Sequence, residues 1–381
     1  EYFGERTLFF KEPRSATVIA NGETELIALE KEDFKLVLEN NLKEYLINRL
    51  ALQDDSVQLK DLSYIKELGQ GNFGAVCMVK NKKTKCLYAI KAVSKSQIEH
   101  EKLIENIEME KSVLLKIDHP FIVKLVKCLK NNKHLFYLME YVRGKELWDI
   151  IREIGLLNKT QCHFYSASIM LGIDYLHSRK IIYRDIKPEN IIVCDNGYLK
   201  LIDFGTAKEI EERTSTILGT PHYMAPEVIL GEGYTFSYDF WSCAICMYEF
   251  VAGGVPFGEN ADDPMQVYLA IINEELKFPK FVKDKELITL LKGMLTKNAM
   301  KRVLKLSQIK QTEYFKDFGW DTLLSFNLDP CYNIEMPQEN LKEVCSYMDY
   351  IQDNLKDFKP PKDSKPDLEY RQKVELWFNN F

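Results

Sequence analysis

The run Tyr183-Arg184-Asp185-Ile186-Lys187-Pro188-Glu189-Asn190, followed in order by Asp203-Phe204-Gly205 and Ala225-Pro226-Glu227, constrains this chain more than any other feature. Its acids, bases and amide recur at fixed offsets that chance does not assemble. Upstream, Gly69-Gln70-Gly71-Asn72-Phe73-Gly74-Ala75-Val76 follows a β-like run and precedes another. Alone, a G-x-G-x-x-G is weak, because it also opens helices in dinucleotide folds. A strand on each side instead suits a flap whose backbone amides approach phosphates with no Cβ in the way.

Tyr88-Ala89-Ile90-Lys91 ends an apolar strand in a single cation, which either snorkels to water or neutralises something buried. The next helical segment, around Ile98 to Ile117, carries Ile104, Ile107, Leu114 and Ile117 in one stripe, with Glu110 inside it. A carboxylate there is costly without a cation, so Lys91 and Glu110 are the expected pair. Glu110 at the stripe edge, reaching solvent, is the alternative.

From about Leu59 to Phe318 the chain resembles the protein kinase family, whose signature elements these motifs match in order. The resemblance implies an α+β, bilobal fold with a β-rich N-lobe and an α-helical C-lobe. It implies ATP and Mg²⁺ (or Mn²⁺) as cofactors. By the same resemblance Asp185 orients the substrate hydroxyl, Lys187 neutralises the γ-phosphoryl group, Asn190 and Asp203 hold the metal, and Lys91, set by Glu110, holds the α- and β-phosphates. Gly69, Gly71, Gly74, Val76, Ala89, Met139, Glu140, Val142 and Glu146 would line the ATP site, with Met139 narrowing its back. Tyr183 replaces the usual histidine without loss of a catalytic role. Lys91 and Asp203 are expected to face the nucleotide rather than the core, so that replacing either leaves stability unchanged. A pseudokinase scaffold usually lacks Lys91, Asp185 or Asp203, and all three are present.

Lys187-Pro188-Glu189 implies serine/threonine specificity. Glu146, Glu189 and Glu249 match positions at which cyclic-nucleotide-dependent kinases bind basic residues upstream of the target. Thr216 matches the activation-loop phosphosite of the AGC group, with Arg184 and Lys208 as phosphate partners, and Thr220 is expected to bond Asp185 and Lys187. Trp377, Phe378 and Phe381 resemble the AGC tail motif that docks beside the helix bearing Glu110.

Ahead of the kinase part, Phe3-Gly4-Glu5-Arg6 and Pro13-Arg14-Ser15-Ala16 resemble the phosphate-binding cassette of a cyclic-nucleotide domain. There Gly4 and Ala16 would belong to the site, Glu5 would bind the ribose, Arg14 the cyclic phosphate, and Ser15 the guanine of cGMP. A cyclic-nucleotide domain joined to an AGC kinase is the architecture of cGMP-dependent protein kinases, here of the apicomplexan type. A cAMP-responsive kinase of the same group is the alternative.

The expected organisation is the end of a cyclic-nucleotide domain with a hinge helix (1–55), the N-lobe (56–142), the C-lobe (143–320) and a tail (321–381). Within it, Thr17–Ala20 and Glu25–Leu29 read as β-like, 31–52 as helix, and the polar last sixty residues as extended. Beginning at Glu1 inside a domain, the chain is expected to be a piece of a longer one. A net charge of −6 argues against nucleic-acid binding, and no apolar run is long enough to span a bilayer. Nine cysteines without a paired framework suggest reduced thiols in the cytoplasm, and Cys243-x-x-Cys246 lies in an apolar stretch that reads as core. A monomer acting on proteins with basic motifs is the expected state.

Overall fold

Consecutive residues are buried in both Gly74–Asn81 and Leu87–Ser94, at Cys77, Met78 and Val79 in the first and from Ile90 onward in the second, so both strands bury side chains on both faces of a sheet there. A computed structural model describes residues 17–28, 30–33, 46–47, 49–50, 52, 56–71, 74–303, 305–332, 334, 336, 341–355 and 368–381. In it β1 (Leu62–Gly71), β2 (Gly74–Asn81), β3 (Leu87–Ser94), β4 (Leu125–Lys130), β5 (His134–Glu140) and β11 (Cys345–Ser346) form one antiparallel sheet, ordered β11-β1-β2-β3-β5-β4. Between β3 and β4 stand two helices rather than one, α1 (Lys95–His100) and α2 (Ile104–Lys116). Lys102, at φ 55°, breaks them apart.

The second lobe is helical: α3 (Leu147–Ile154), α4 (Lys159–Ser178), α5 (Ser237–Ala252), α6 (Pro264–Asn273) and α7 (Lys285–Met294). Helix α5 is buried on nearly every side, so it shows no polar stripe and forms the centre of the lobe. Cys243 and Cys246 are wholly enclosed there. Two small sheets, β6 (Gly144–Glu146), β8 (Ile191–Cys194) and β9 (Leu199–Leu201), and β7 (Ile181–Ile182) with β10 (Lys208–Glu209), carry the functional loops. Residues 183–190 lie between β7 and β8, and 203–205 between β9 and β10.

The tail departs from the expected extended form. β11 pairs with β1, setting Ser63 opposite Ser346, and α8 (Tyr347–Asn354) buries Tyr347, Tyr350 and Ile351 in the small-lobe core. Those residues lie at i, i+3 and i+4, a helical face diluted by polar neighbours. Ser346 caps the helix by accepting from the Met348 amide. A last helix, α9, spans Leu368–Asn380. Thr17–Ala20 and Glu25–Ala28 are exposed and not strands, since an extended run becomes a strand only beside a partner and none pairs with them among the described residues. Of the helix expected over 31–52, residues 31–33, 46–47 and 49–50 are described and helical.

Candidate active site

The β1–β2 hairpin places Gly71 opposite Gly74 and Gly69 opposite Val76. Asn72 and Phe73, at its tip, lie outside the described residues. Gly74 has φ 149°, and a Cβ there would sit 1.9 Å from the Ala92 carbonyl oxygen, so β3 itself requires this glycine. Val76 is also opposite Lys91, and Ala89 is opposite Met139 on β5, which brings these positions onto neighbouring strands.

Lys91 Nζ donates to Glu110 Oε1 at 2.6 Å, and both residues are buried. Burial alone would lower the lysine pKa, but the charges of Glu110 and Asp203 outweigh it and raise it. Lys91 is therefore a fixed cation aimed between two carboxylates. The pair with Glu110 is as expected, but both partners are buried, so loss of Lys91 would strand the Glu110 carboxylate rather than leave stability unchanged. The Asp203 carboxylate accepts from the Gly205 amide at 3.0 Å. Phe204 is buried edge-on against Tyr183, with ring centroids 5.1 Å apart.

Around Asp185 the bonds close into a ring. Its Oδ2 accepts from Asn190 Nδ2 at 2.7 Å and lies 2.9 Å from Lys187 Nζ, while Oδ1 accepts from Thr220 Oγ1 at 2.8 Å. Lys187 Nζ in turn donates to Thr220 Oγ1 at 2.9 Å. The loop is held from below by Asp239 on α5, which is wholly buried and accepts from the amides of Tyr183 and Arg184, both at 2.9 Å. Asp239 was not singled out from the sequence, because one acid in the first turn of an apolar helix looks like an ordinary dipole partner. Glu227 and Arg302 form a buried two-pronged pair at 2.6 and 2.8 Å that fixes the end of the activation segment.

At the lobe junction, the Glu140 carboxylate accepts from Lys200 Nζ and from the Lys124 amide, each at 2.8 Å. Val142 is half-buried beside it. Glu146 begins α3, and its pKa is raised by burial and by the neighbouring charges of Asp149 and Glu189. Glu249 accepts from Tyr223 Oη at 2.7 Å, and its pKa is raised by burial and by Glu189 and Glu259. Glu189 is thus electrostatically coupled to both other expected acids, and Glu259 joins them without having been anticipated.

Thr216 has its carbonyl bonded by Tyr234, and Lys208 Nζ donates to Thr214 Oγ1 at 3.4 Å. In the tail, Phe381 packs edge-on against Tyr137 with 6.1 Å between ring centroids, under Lys111 Nζ at 4.1 Å. The Phe378 ring lies 4.8 Å from Lys95 Nζ, and its carbonyl accepts from Lys130 at 2.8 Å. Tyr137 Oη donates to the Ile107 carbonyl of α2 at 2.9 Å, so the tail aromatics lean on the helix bearing Glu110. Gly4, Glu5, Arg14, Ser15 and Ala16 lie outside the described residues.

Residues 62–315 match the model of the protein kinase domain family, and residues 1–41 match that of the cyclic nucleotide-binding domain family. The chain is similar to the cGMP-dependent protein kinases of Eimeria tenella and Plasmodium berghei, each 42% identical over 335 residues. Those alignments cover 87% of this chain but 33% and 39% of the two relatives. A cAMP-dependent protein kinase catalytic subunit of Dictyostelium discoideum is 36% identical over 270 residues, 70% of this chain and 41% of that protein. The chain therefore spans less than half the length of these curated relatives. The match over both lobes, together with the geometry that the motifs build, establishes that this chain belongs to the protein kinase family.

Proposed function

We propose that this chain is the catalytic part of a serine/threonine protein kinase, controlled by cGMP, that phosphorylates proteins with basic residues upstream of the target hydroxyl. The observation that carries the kinase reading is the closed ring of Asp185, Lys187 and Thr220, with Asn190 bonded to Asp185, in the same molecule as the buried Lys91–Glu110 pair. Asp185, fixed on both carboxylate oxygens, is placed to orient an incoming hydroxyl and to receive its proton. Lys187 stands beside it to offset charge on the transferring group, and Lys91 to hold the remaining phosphates.

Asn190 and Asp203 offer hard oxygen donors and would be the residues that hold Mg²⁺. When bound, the ion offsets the charge spread over the phosphate oxygens. Little covalent work falls to the protein, so positioning and charge stabilisation carry the rate.

Preference for a basic substrate is supported by the acidic patch. Glu189 Oε2 is buried without a hydrogen-bond partner among the described residues, and Glu146 and Glu249 crowd it electrostatically. A substrate guanidinium would relieve both costs. Control by cGMP is supported by the family match over residues 1–41 and by the Arg14-Ser15 pair. Nine free cysteines accord with a reducing, cytoplasmic setting, and no helix among the described residues is long and apolar enough to cross a membrane.

The test is phosphoryl transfer from ATP with Mg²⁺ to a serine peptide carrying upstream arginines, against the same peptide with alanines. Transfer favouring the basic peptide is expected. ATP binding without transfer to either peptide overturns the enzyme reading.

A further inference from the structure

Arg184 holds a left-handed backbone conformation, φ 70°, that a residue with a long side chain adopts only when its surroundings dictate it. Its amide is fixed by Asp239 and its carbonyl accepts from Tyr238 Oη at 3.3 Å. Its side chain is fixed as well: Nε donates to the Thr206 carbonyl at 2.6 Å, and Nη1 donates to Tyr234 Oη at 3.4 Å. Asp185 is the next residue.

The Tyr234 hydroxyl, accepting from Arg184, donates a hydrogen bond to the Thr216 carbonyl at 2.6 Å. The main chains of Tyr234 and Thr214 also exchange two bonds, 3.0 and 2.8 Å, and Tyr234 is 2% exposed. Tyr238, packed against it with centroids 5.2 Å apart, shares its one hydroxyl proton between the Arg184 carbonyl and the Leu218 carbonyl, the latter at 3.2 Å. Both tyrosines thus grip the activation segment by its carbonyls. The side chain at position 216 takes no part in either bond.

We propose that the Tyr234 hydroxyl is a positioning group for phosphoryl transfer, joining the Arg184 guanidinium to the Thr216 carbonyl so that Asp185 and the activation segment stay in register whatever side chain or modification position 216 carries. The proposal rests on the kinase reading for its kinetic consequence and on the hydrogen bonds alone for its structural one.

Tyr234→Phe removes only the hydroxyl. In the full chain, phosphorylation of the basic peptide is compared for wild type, Tyr234→Phe, Thr216→Ala and the double variant. Losing one buried bridging hydrogen bond is expected to lower kcat about tenfold in either Thr216 background, with KM for ATP within about twofold. Hydrogen exchange at the Thr214 and Tyr234 amides is expected to quicken about tenfold in Tyr234→Phe, while core amides of α5 stay protected. A kcat equal to wild type, or a loss matched by the unfolded fraction, overturns the proposal. If wild type transfers no phosphate, the kinase reading fails and exchange alone decides: unchanged protection in Tyr234→Phe overturns the positioning role. If Tyr234→Phe does not fold, Thr216→Ala decides, because it must keep wild-type protection at both amides, and losing it overturns the proposal.

Discussion

Arg49 forms an ion pair with Asp118 and also reaches to within 3.8 Å of Glu140 Oε1, at the end of β5 where the two lobes meet. Arg49 is buried and belongs to the segment that precedes the kinase lobes. Glu140 is shared with Lys200, and Asp118 with Lys124 at 2.7 Å, so two acids and three cations form one cluster behind the lobe junction.

Burial alone would raise the Asp118 pKa, but Arg49 and Lys124 hold it below the usual carboxylate range. A carboxyl whose folded pKa is depressed stabilises the fold above its unfolded pKa, about 4, and that contribution is lost as pH falls through the depressed value. Arg49→Ala is expected to lower Tm by roughly 2–4 °C at neutral pH and to weaken the acid dependence of Tm below pH about 4. Thermal scans from neutral pH to pH 3 check this, and equal acid dependence in both proteins would count against the pairing.

Asp203→Ala and Lys91→Met are both expected to abolish phosphoryl transfer, but they should part company in stability. Lys91→Met leaves Glu110 buried without its cation, which costs about 3–5 kcal/mol when one partner of a buried pair is removed. Adding Glu110→Gln should recover most of the lost Tm without recovering activity. Equal Tm in Lys91→Met and wild type would show that Glu110 finds another partner.

How much of this was legible in the sequence depended on whether the chemistry was contiguous. The Asp185 loop and Asp203-Phe204-Gly205 are runs, and Glu110 betrays itself as a carboxylate inside an apolar stripe. Tyr234 and Asp239 act on carbonyls and amides that lie far from them in sequence, so their neighbours in sequence carry no mark of it. β11 is two residues long and exists only because β1 offers an edge, a relation that no local pattern encodes.

The acidic patch predicts a pH-dependent KM for basic peptides. Burial and mutual repulsion raise the pKa of Glu249 and of Glu146, so both take up protons at a higher pH than ordinary glutamates. Protonation removes the charge that attracts a guanidinium, so KM for a basic peptide should rise as pH falls from neutral towards about 5, while KM for ATP changes less. Glu249→Gln should raise that KM about tenfold at neutral pH and flatten its pH dependence. A KM independent of pH over this range would argue that the patch does not meet the substrate.

Removal of the Phe381 ring takes away the contacts with Tyr137 and Lys111 on the side of α2 that positions Glu110. Phe381→Ala is expected to lower kcat several-fold and Tm by roughly 2–4 °C, about what an aromatic contact and a cation–π contact contribute together. Unchanged kcat would leave the docked tail without influence on catalysis.

The last prediction concerns control. If cGMP binds against Arg14 with Ser15 at the guanine, the segment leading from that cassette to the kinase lobes is the only covalent route for the signal, and Arg49 lies on it. Arg49 stands within 3.8 Å of Glu140 Oε1, so movement of that segment would reach the lobe junction through the ion-pair cluster as well as through the peptide chain. A ligand shifts an inhibited population towards an active one by no more than the difference in its affinity for the two. In the intact protein cGMP is therefore expected to activate well below the concentration of cAMP required. Ser15→Ala should shrink that preference, and Arg14→Glu should abolish the response. Arg49→Ala should reduce the fold-activation at saturating cGMP while leaving the cGMP concentration for half-maximal binding nearly unchanged, because it lies outside the nucleotide cassette. Activity measured against cGMP and cAMP, alongside direct nucleotide binding, separates these effects. Equal activity with and without cGMP, unaltered by Arg14→Glu, would leave a kinase whose preceding segment serves another purpose.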